Sequence, residues 1–324
     1  MAHLLLYFKI IKGLTQIGLS VISFVLSPLF TLIAKTGYGS DICWRLGFLP
    51  LPVHYYSPVP DKAKLRRLNW QRAHDMPGIS FNFNKQVELL YTLGRQYGYE
   101  CAWPERPESG QAGYYWDNPS FGFSSACILH CFIRAFKPSK VIEVGAGYST
   151  LIIAGALEMN RKETGFKSEF ITFDPYPRTF LLSDIPGLTR LVQRCVEDVA
   201  VSEFESLQGG DILFIDSSHI VRIGGDVNYL YLDVLPRLRS GVIVHVHDVY
   251  FPYEYPSALY MGAKKYFWTE QYLLQAFLCF NQEYEVLLAA YWLQLEHPEI
   301  FASAFPNFNP SRHRPSSSFY MRRV

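Results

Sequence analysis

From about Phe121 onward the chain alternates between two apolar rhythms. Short, strongly apolar runs at 141–144, 170–173, 188–193, 211–216, 241–248, 284–290 and 318–322 read as strands. Segments with helical spacing at 123–136, 149–159, 226–238 and 257–280 lie between them, the third ending near Pro236. The run 211–216 is almost wholly apolar, as a central parallel strand covered on both faces must be. This βα alternation predicts an α/β, doubly wound sheet with helices on both faces and ligands beyond the carboxyl ends of the strands. Ahead of it, 84–97 has helical spacing, and four prolines within 49–60 exclude a regular helix there. The stretch 13–34 carries no charge between Lys12 and Lys35 and is long enough, at 1.5 Å per residue, to cross a ~30 Å hydrocarbon layer. The chain therefore divides into a hydrophobic membrane-associating segment (1–36), an aromatic-rich cap (37–119) and a ligand-binding domain (120–324).

The strand 141–144 stops in Gly145-Ala-Gly147 and restarts as a helix. Backbone N–H groups are left free at the helix N-terminus, and glycine lets a ligand approach the backbone. Glu143, two residues before Gly145, would repel docked phosphates and attract an ammonium group. A cationic ligand is favoured over a dinucleotide, and Thr150 stands where the third glycine of an NAD fingerprint belongs. Acids recur at the later strand ends. Asp174 is placed for ribose hydroxyls, Glu197 or Asp198 for an adenine amino group, and Asp216 and Asp248 close the fourth and fifth strands. His219 and His247 lie at those same two ends.

Lys plus Arg total 30 and Asp plus Glu 29, so no net field favours nucleic acid as a partner. The six cysteines show no disulfide or zinc-finger spacing. Cys127, His130 and Cys131 share a helix face with apolar neighbours and read as buried core groups in a reducing, cytosolic environment. In 13–34, Gln16 and Pro28 interrupt a simple span; a span, a bent helix dipping into one leaflet, and a buried or partner-binding helix all stay open. No cleavage pattern for a signal peptide follows, and the flanking lysines are too even to fix an orientation.

Taken together, Glu-x-Gly-x-Gly, 211–219, 225–229, 235–238 and His245-Val-His-Asp248 with Phe251-Pro and Tyr255-Pro resemble one group of class I S-adenosylmethionine-dependent methyltransferases, the bacterial methyltransferase-domain-24 type. The resemblance covers roughly 120–323. It implies a Rossmann-like, seven-stranded, mostly parallel sheet of order 3-2-1-4-5-7-6 with the seventh strand antiparallel, and S-adenosylmethionine as methyl donor. It assigns Glu143, Gly145 and Gly147 to the methionine end, Asp174 to the ribose and Asp198 to adenine, with Asp216 also at the cofactor site. It implies acceptors such as glycans or other small hydroxylated molecules.

A hydroxyl attacking a sulfonium methyl must lose its proton, so the expected base is His219 or His247, oriented by Asp248 or Asp216; His245 is read as structural. A catechol-type arrangement would place Asp216, His247 and Asp248 around a divalent metal. One histidine in that set disfavours magnesium and suits manganese, iron or zinc better. The expected function is O-methylation of a small-molecule or glycan hydroxyl, with the catalytic domain in the cytosol, on the inner face of a membrane if 13–34 inserts. The competing readings are a non-catalytic, membrane-tethered cofactor-binding scaffold and an NAD-dependent oxidoreductase.

Overall fold

The computed structural model describes residues 2–107, 113–262 and 265–324, with side chains from Thr15 onward. Two compact units are formed, Met1–Asn69 and Trp70–Val324. The cap region expected at 37–119 is divided between them, because the helix Phe83–Tyr97 puts Leu90 and Leu93 into the core of the larger unit.

In the smaller unit one helix, Ala2–Thr36, runs unbroken through Pro28. Proline has no N–H to give to the carbonyl four residues back, which here is Phe24. Ser27 Oγ donates to that carbonyl at 2.8 Å, so the orphaned acceptor is satisfied inside the helix. Ser20 and Thr36 likewise bond back to Gln16 and Leu32. Ser20 and Ser27, within the apolar run, thus turn their hydroxyls inward. Gly37, at φ +75°, ends the helix by donating to Ile33. Two short helices follow, Ser40–Arg45 and Lys62–Arg67; the second is capped by Asp61 Oδ1, which accepts from Ala63 N and Lys64 N.

The larger unit is built on seven strands: β1 (Lys140–Val144), β2 (Glu169–Phe173), β3 (Arg190–Val192), β4 (Ile212–Ile215), β5 (Ile243–Val246), β6 (Tyr284–Ala289) and β7 (Phe319–Arg323). Their order is β3-β2-β1-β4-β5-β7-β6; β7 runs antiparallel to both β5 and β6, and the other pairs are parallel. The order expected from the resemblance is the one found.

Alternation along the strands divides the core in two. Val141, Phe170, Ile212, Phe214 and Ile243 pack on one face with the helices Phe123–Phe136 and Tyr148–Thr164. Ile142, Ile171, Leu213, Ile215 and Val244 pack on the other, with Leu230, Val234 and Leu274. Two expected helices differ in detail. The crossover expected at 226–238 begins as an α-helix at Asp226–Tyr229, widens to a π-turn over Leu230–Val234, and closes at Leu235–Arg237. The helix expected at 257–280 is two helices, Ser257–Met261 and Glu270–Leu278. Residues 263 and 264 lie outside the described residues, but 265–269 are not helical: Tyr266 N returns to Leu259 O, and Thr269 N donates to His219 O. Two helices with no sequence expectation, Ala290–Glu296 and Pro298–Ala304, precede β7.

Candidate active site

A cleft of about 470 Å³ opens at the carboxyl ends of β1, β2 and β4, within the size range of small-ligand sites. Val144, Gly145, Asp174, Glu197 and Asp216–Ser218 are among its walls, with Arg222 and Asp226 at one side. Another cavity, about 440 Å³, lies against β6 and is lined by Gly78, Lys85, Phe280 and Tyr284; none of the strand-end acids reaches it.

The glycine loop is tightly specified. Gly145 has φ +88°, and a Cβ there would stand 1.9 Å from the Asp216 carbonyl oxygen, so no other residue fits. Gly147 is extended, and nothing lies within 4 Å of where its Cβ would be, which leaves room above the loop. Its N–H donates to Thr150 Oγ1 at 3.0 Å. Thr150 in turn donates to Glu143 Oε2, and Ser149 to Glu143 Oε1, both at 2.7 Å. Glu143 is fully buried. It lies two residues from Val141, on the same face of β1, and therefore points under the helix Tyr148–Thr164; it is not among the residues lining the cleft. Burial pushes its carboxyl up to about 8 against the opposing pull of the Thr150 and Ser149 hydroxyls.

Asp174 does line the cleft. Its Oδ2 accepts from Ala146 N at 2.9 Å and its Oδ1 from Tyr176 N at 2.6 Å, which ties the end of β2 to the glycine loop. Beyond β3 the structure sets Glu197 on the cleft wall and leaves Asp198 exposed outside it. The short helix Val196–Asp198 turns Val196 into the core, and only one of its two acids can then face inward. Ser217 Oγ is buried without a hydrogen-bond partner among the described residues. Four carboxylates (Asp174, Glu197, Asp216 and Asp226) against Arg222 make the cleft acidic, which suits a sulfonium and ammonium ligand and opposes a pyrophosphate.

Beside Asp216 a second group of side chains converges. His219 Nε2 lies 3.2 Å from Asp216 Oδ1 and 3.7 Å from Asp248 Oδ2, and its Nδ1 is 2.8 Å from Glu270 Oε2. His219 and Asp248 both have positive φ, 61° and 56°, conformations that a surrounding structure must enforce. The His219 carbonyl is pinned by Thr269 N and Glu270 N, and the Asp248 carboxylate by Ser317 Oγ at 2.7 Å. Burial works to lower the His219 pKa, but its hydrogen bonds to Asp216 and Glu270 and the charges of Glu270 and Asp248 outweigh it and hold the ring well above its ordinary value. Burial raises Glu270, with His219 opposing. Asp216 ends lower than usual because His219 and His247 outweigh its own burial.

Sequence reasoning did not find Glu270. It sits at the first turn of a helix that had been read as continuous through this point, and it carries no motif.

His247 and His245 alternate along β5 onto the sheet face occupied by Phe121 and Phe214. His245 Nε2 is 3.3 Å from His247 Nδ1, and burial drives the His245 ring well below its ordinary pKa. His247 Nε2 comes only to 3.9 Å from Asp248 Oδ1. Among the described residues, the donor atoms that could share a cation are those of Asp216, His219 and Asp248, all within 4.8 Å of one another. In that group His219 takes the place expected for His247. Two carboxylates and an imidazole are a set suited to manganese, iron or zinc.

Residues 142–249 match the methyltransferase-domain-24 family, described as a methyltransferase domain. That span carries the glycine loop, Asp174, Asp216, His219 and Asp248, on a sheet with the order 3-2-1-4-5-7-6. The chain belongs to the class I S-adenosylmethionine-dependent methyltransferases. S-adenosylmethionine is its methyl donor, as the resemblance implied. An uncharacterised protein of Archaeoglobus fulgidus is 30% identical to this methyltransferase over 178 residues, covering 52% of this chain and 79% of the relative. A methyltransferase from Podospora anserina, solved with S-adenosylhomocysteine bound, is similar at 16% identity and a TM-score of 0.35, over 85% of this chain and all of that one. MycE, a methyltransferase of the mycinamycin pathway solved with magnesium and S-adenosylhomocysteine, is similar at 15% identity and a TM-score of 0.33, over 72% of this chain and 54% of its own.

Proposed function

We propose that this methyltransferase methylates a hydroxyl of a small-molecule or glycan-type acceptor, with His219 as general base. The observation that carries the reading is the buried Glu270 carboxylate holding His219 Nδ1 while Nε2 faces the strand ends between Asp216 and Asp248. In the reaction the acceptor oxygen forms a bond to the methyl carbon as the carbon–sulfur bond breaks. The donor leaves as a neutral thioether, and the acceptor proton passes to Nε2. A ring as basic as His219 is cationic at rest and must first lose its own proton. Placing the positively charged donor beside Asp216 works in that direction, because added positive charge lowers the ring's proton affinity.

For the donor, Asp174 is proposed to meet the ribose, Glu197 the adenine amino group, and the open space over Gly147 the methionine end. Asp198, exposed beside Glu197, is the less suited of the two neighbouring acids. Glu143 is proposed to act from beneath, shaping the loop through Ser149 and Thr150. The helix Ala2–Thr36 is proposed to insert into a membrane. Its Thr15–Thr36 portion is apolar, long enough to cross, and exposed.

A second reading has its own support in the proximity of three donor atoms. Asp216, His219 and Asp248 would then hold a divalent cation, which would supply Lewis-acid activation of the acceptor hydroxyl, and His219 would be a ligand.

Mass spectrometry of glycans and lipids from producing cells, with and without the gene, identifies the acceptor as the species that loses one methyl-for-hydrogen increment. With that acceptor, His219→Ala is expected to lower kcat by about 10²–10⁴ and leave donor affinity within a few-fold. Unchanged turnover in this variant refutes the base. Loss of wild-type turnover in EDTA with recovery in Mn²⁺ selects the cation reading; full turnover in EDTA dismisses it.

A further inference from the structure

The smaller unit holds a polarised distribution of charge that the catalytic chemistry does not use. Residues 1–69 carry eight Lys and Arg against two Asp and Glu, and residues 70–324 carry twenty-two against twenty-seven. Four of the eight cations lie in the six-residue helix Lys62–Arg67, where Lys62, Lys64, Arg66 and Arg67 are all exposed. None of the four is in an ion pair among the described residues; Asp61 beside them is occupied in capping the helix.

Between this basic helix and the apolar helix the chain displays aromatic rings to solvent. Tyr38, Trp44, Tyr55 and Tyr56 are 84%, 71%, 88% and 86% exposed. In water such a display is unfavourable, whereas at a membrane–water boundary amphipathic rings of this kind are at their most stable. The segment is also tied to the helix. The Phe48 ring meets Phe30 edge-on at 6.0 Å. Phe30 lies six residues before the helix end, about 9 Å along the axis. The chain therefore turns back along the last turns of the helix before it reaches the basic segment.

We propose that residues 37–69 form a docking segment for an anionic lipid surface. The exposed aromatic rings lie at the boundary of the hydrocarbon, and Lys62, Lys64, Arg66 and Arg67 bind lipid headgroups. The inference rests on the reading that the helix Ala2–Thr36 inserts. It adds a second, charge-selective contact, which biases the enzyme toward anionic leaflets and restrains the chain where it leaves the bilayer. Each cation near such a surface strengthens attachment about fivefold, and the attraction fades within a Debye length.

The test uses the full chain reconstituted in lipid nanodiscs, either phosphatidylcholine alone or phosphatidylcholine with phosphatidylglycerol. Trypsin cleavage after Lys62, Lys64, Arg66 and Arg67 is followed, normalised to cleavage after the exposed Lys167 of the catalytic unit. The proposal expects cleavage about tenfold or more slower in the anionic discs, restored in roughly 0.5 M NaCl. Equal rates in the two discs overturn it while leaving the inserted helix standing. Equal protection in neutral discs by soluble heparin also overturns it, because the segment would then be reading any polyanion. A chain that does not co-elute with discs of either kind overturns the inserted helix itself, and the docking segment with it.

Discussion

Gly145 and Gly147 sit in one loop, but their missing side chains matter in opposite directions. At Gly145 a methyl group would collide with the Asp216 carbonyl, and the backbone is left-handed as well. Gly145→Ala is expected to destabilise the fold by about 3 kcal/mol, as strain and overpacking add, read as a lower urea midpoint with an unchanged slope; a change under about 1 kcal/mol contradicts the close approach. Glu143 shows what one residue's spacing could and could not reveal. Its place before the glycines was legible, but its direction was set by strand alternation, which turns it under the helix. Its burial makes a pH prediction. An unfolded carboxyl ionises near 4.5, and this one ionises near 8. Below about pH 4.5 both states hold the proton and the group is neutral to stability. As pH rises from there, the unfolded chain releases its proton and the folded chain does not, so stability falls until about pH 8, by a few kcal/mol in all. Glu143→Gln removes the titrating group, so the urea midpoint should decline less between pH 5 and pH 8 than in the wild type. An identical decline would show that another group sets the pH dependence. Glu270 had no signal comparable to either glycine, because nothing local to its sequence announces a contact with His219, fifty-one residues earlier.

Strands were the most legible elements, since a sheet covered on both faces leaves uninterrupted apolar runs that few other arrangements produce. Helices were legible where one face is apolar and misread where the apolar pattern outlasts the helix. The expected helix at 257–280 failed for that reason. Trp268, Thr269 and Glu270 have side chains a helix would accept, but the backbone there turns to hydrogen-bond the His219 carbonyl. A different tertiary demand acts on the helix Phe123–Phe136, whose Arg134 is 1% exposed. Its guanidinium is met by Glu100, by Asn160 and by Glu163. Glu100 also receives His130 Nε2 at 2.7 Å. Glu100→Ala strands a buried charge and should lose about 3–5 kcal/mol, whereas Glu163→Ala, at a half-exposed partner, should lose about 1 kcal/mol or less. Denaturant titration of both variants checks the order; equal losses contradict a network centred on Glu100.

At the scale of the whole chain, the sheet order and the acidic strand ends were readable together because each strand end contributes one polar residue to a common edge. The extent of the folded unit was not, because residues 70–119 enter the core through Leu90, Leu93, Cys101 and Tyr114, which sit among prolines and exposed aromatics. Cofactor selectivity arises at this scale too: acids from the ends of β2 and β4 and from the β3 exit line the cleft beside the glycine loop. Titration calorimetry of the full chain and its Gly147→Val variant with S-adenosylmethionine probes the open space over Gly147. The branched side chain enters a region free of other atoms, so the variant should melt within a few degrees of the wild type. It should lose about 100-fold or more in donor affinity, the equivalent of about 2.7 kcal/mol. A folded variant that binds the donor as tightly as the wild type would place the methionine end elsewhere.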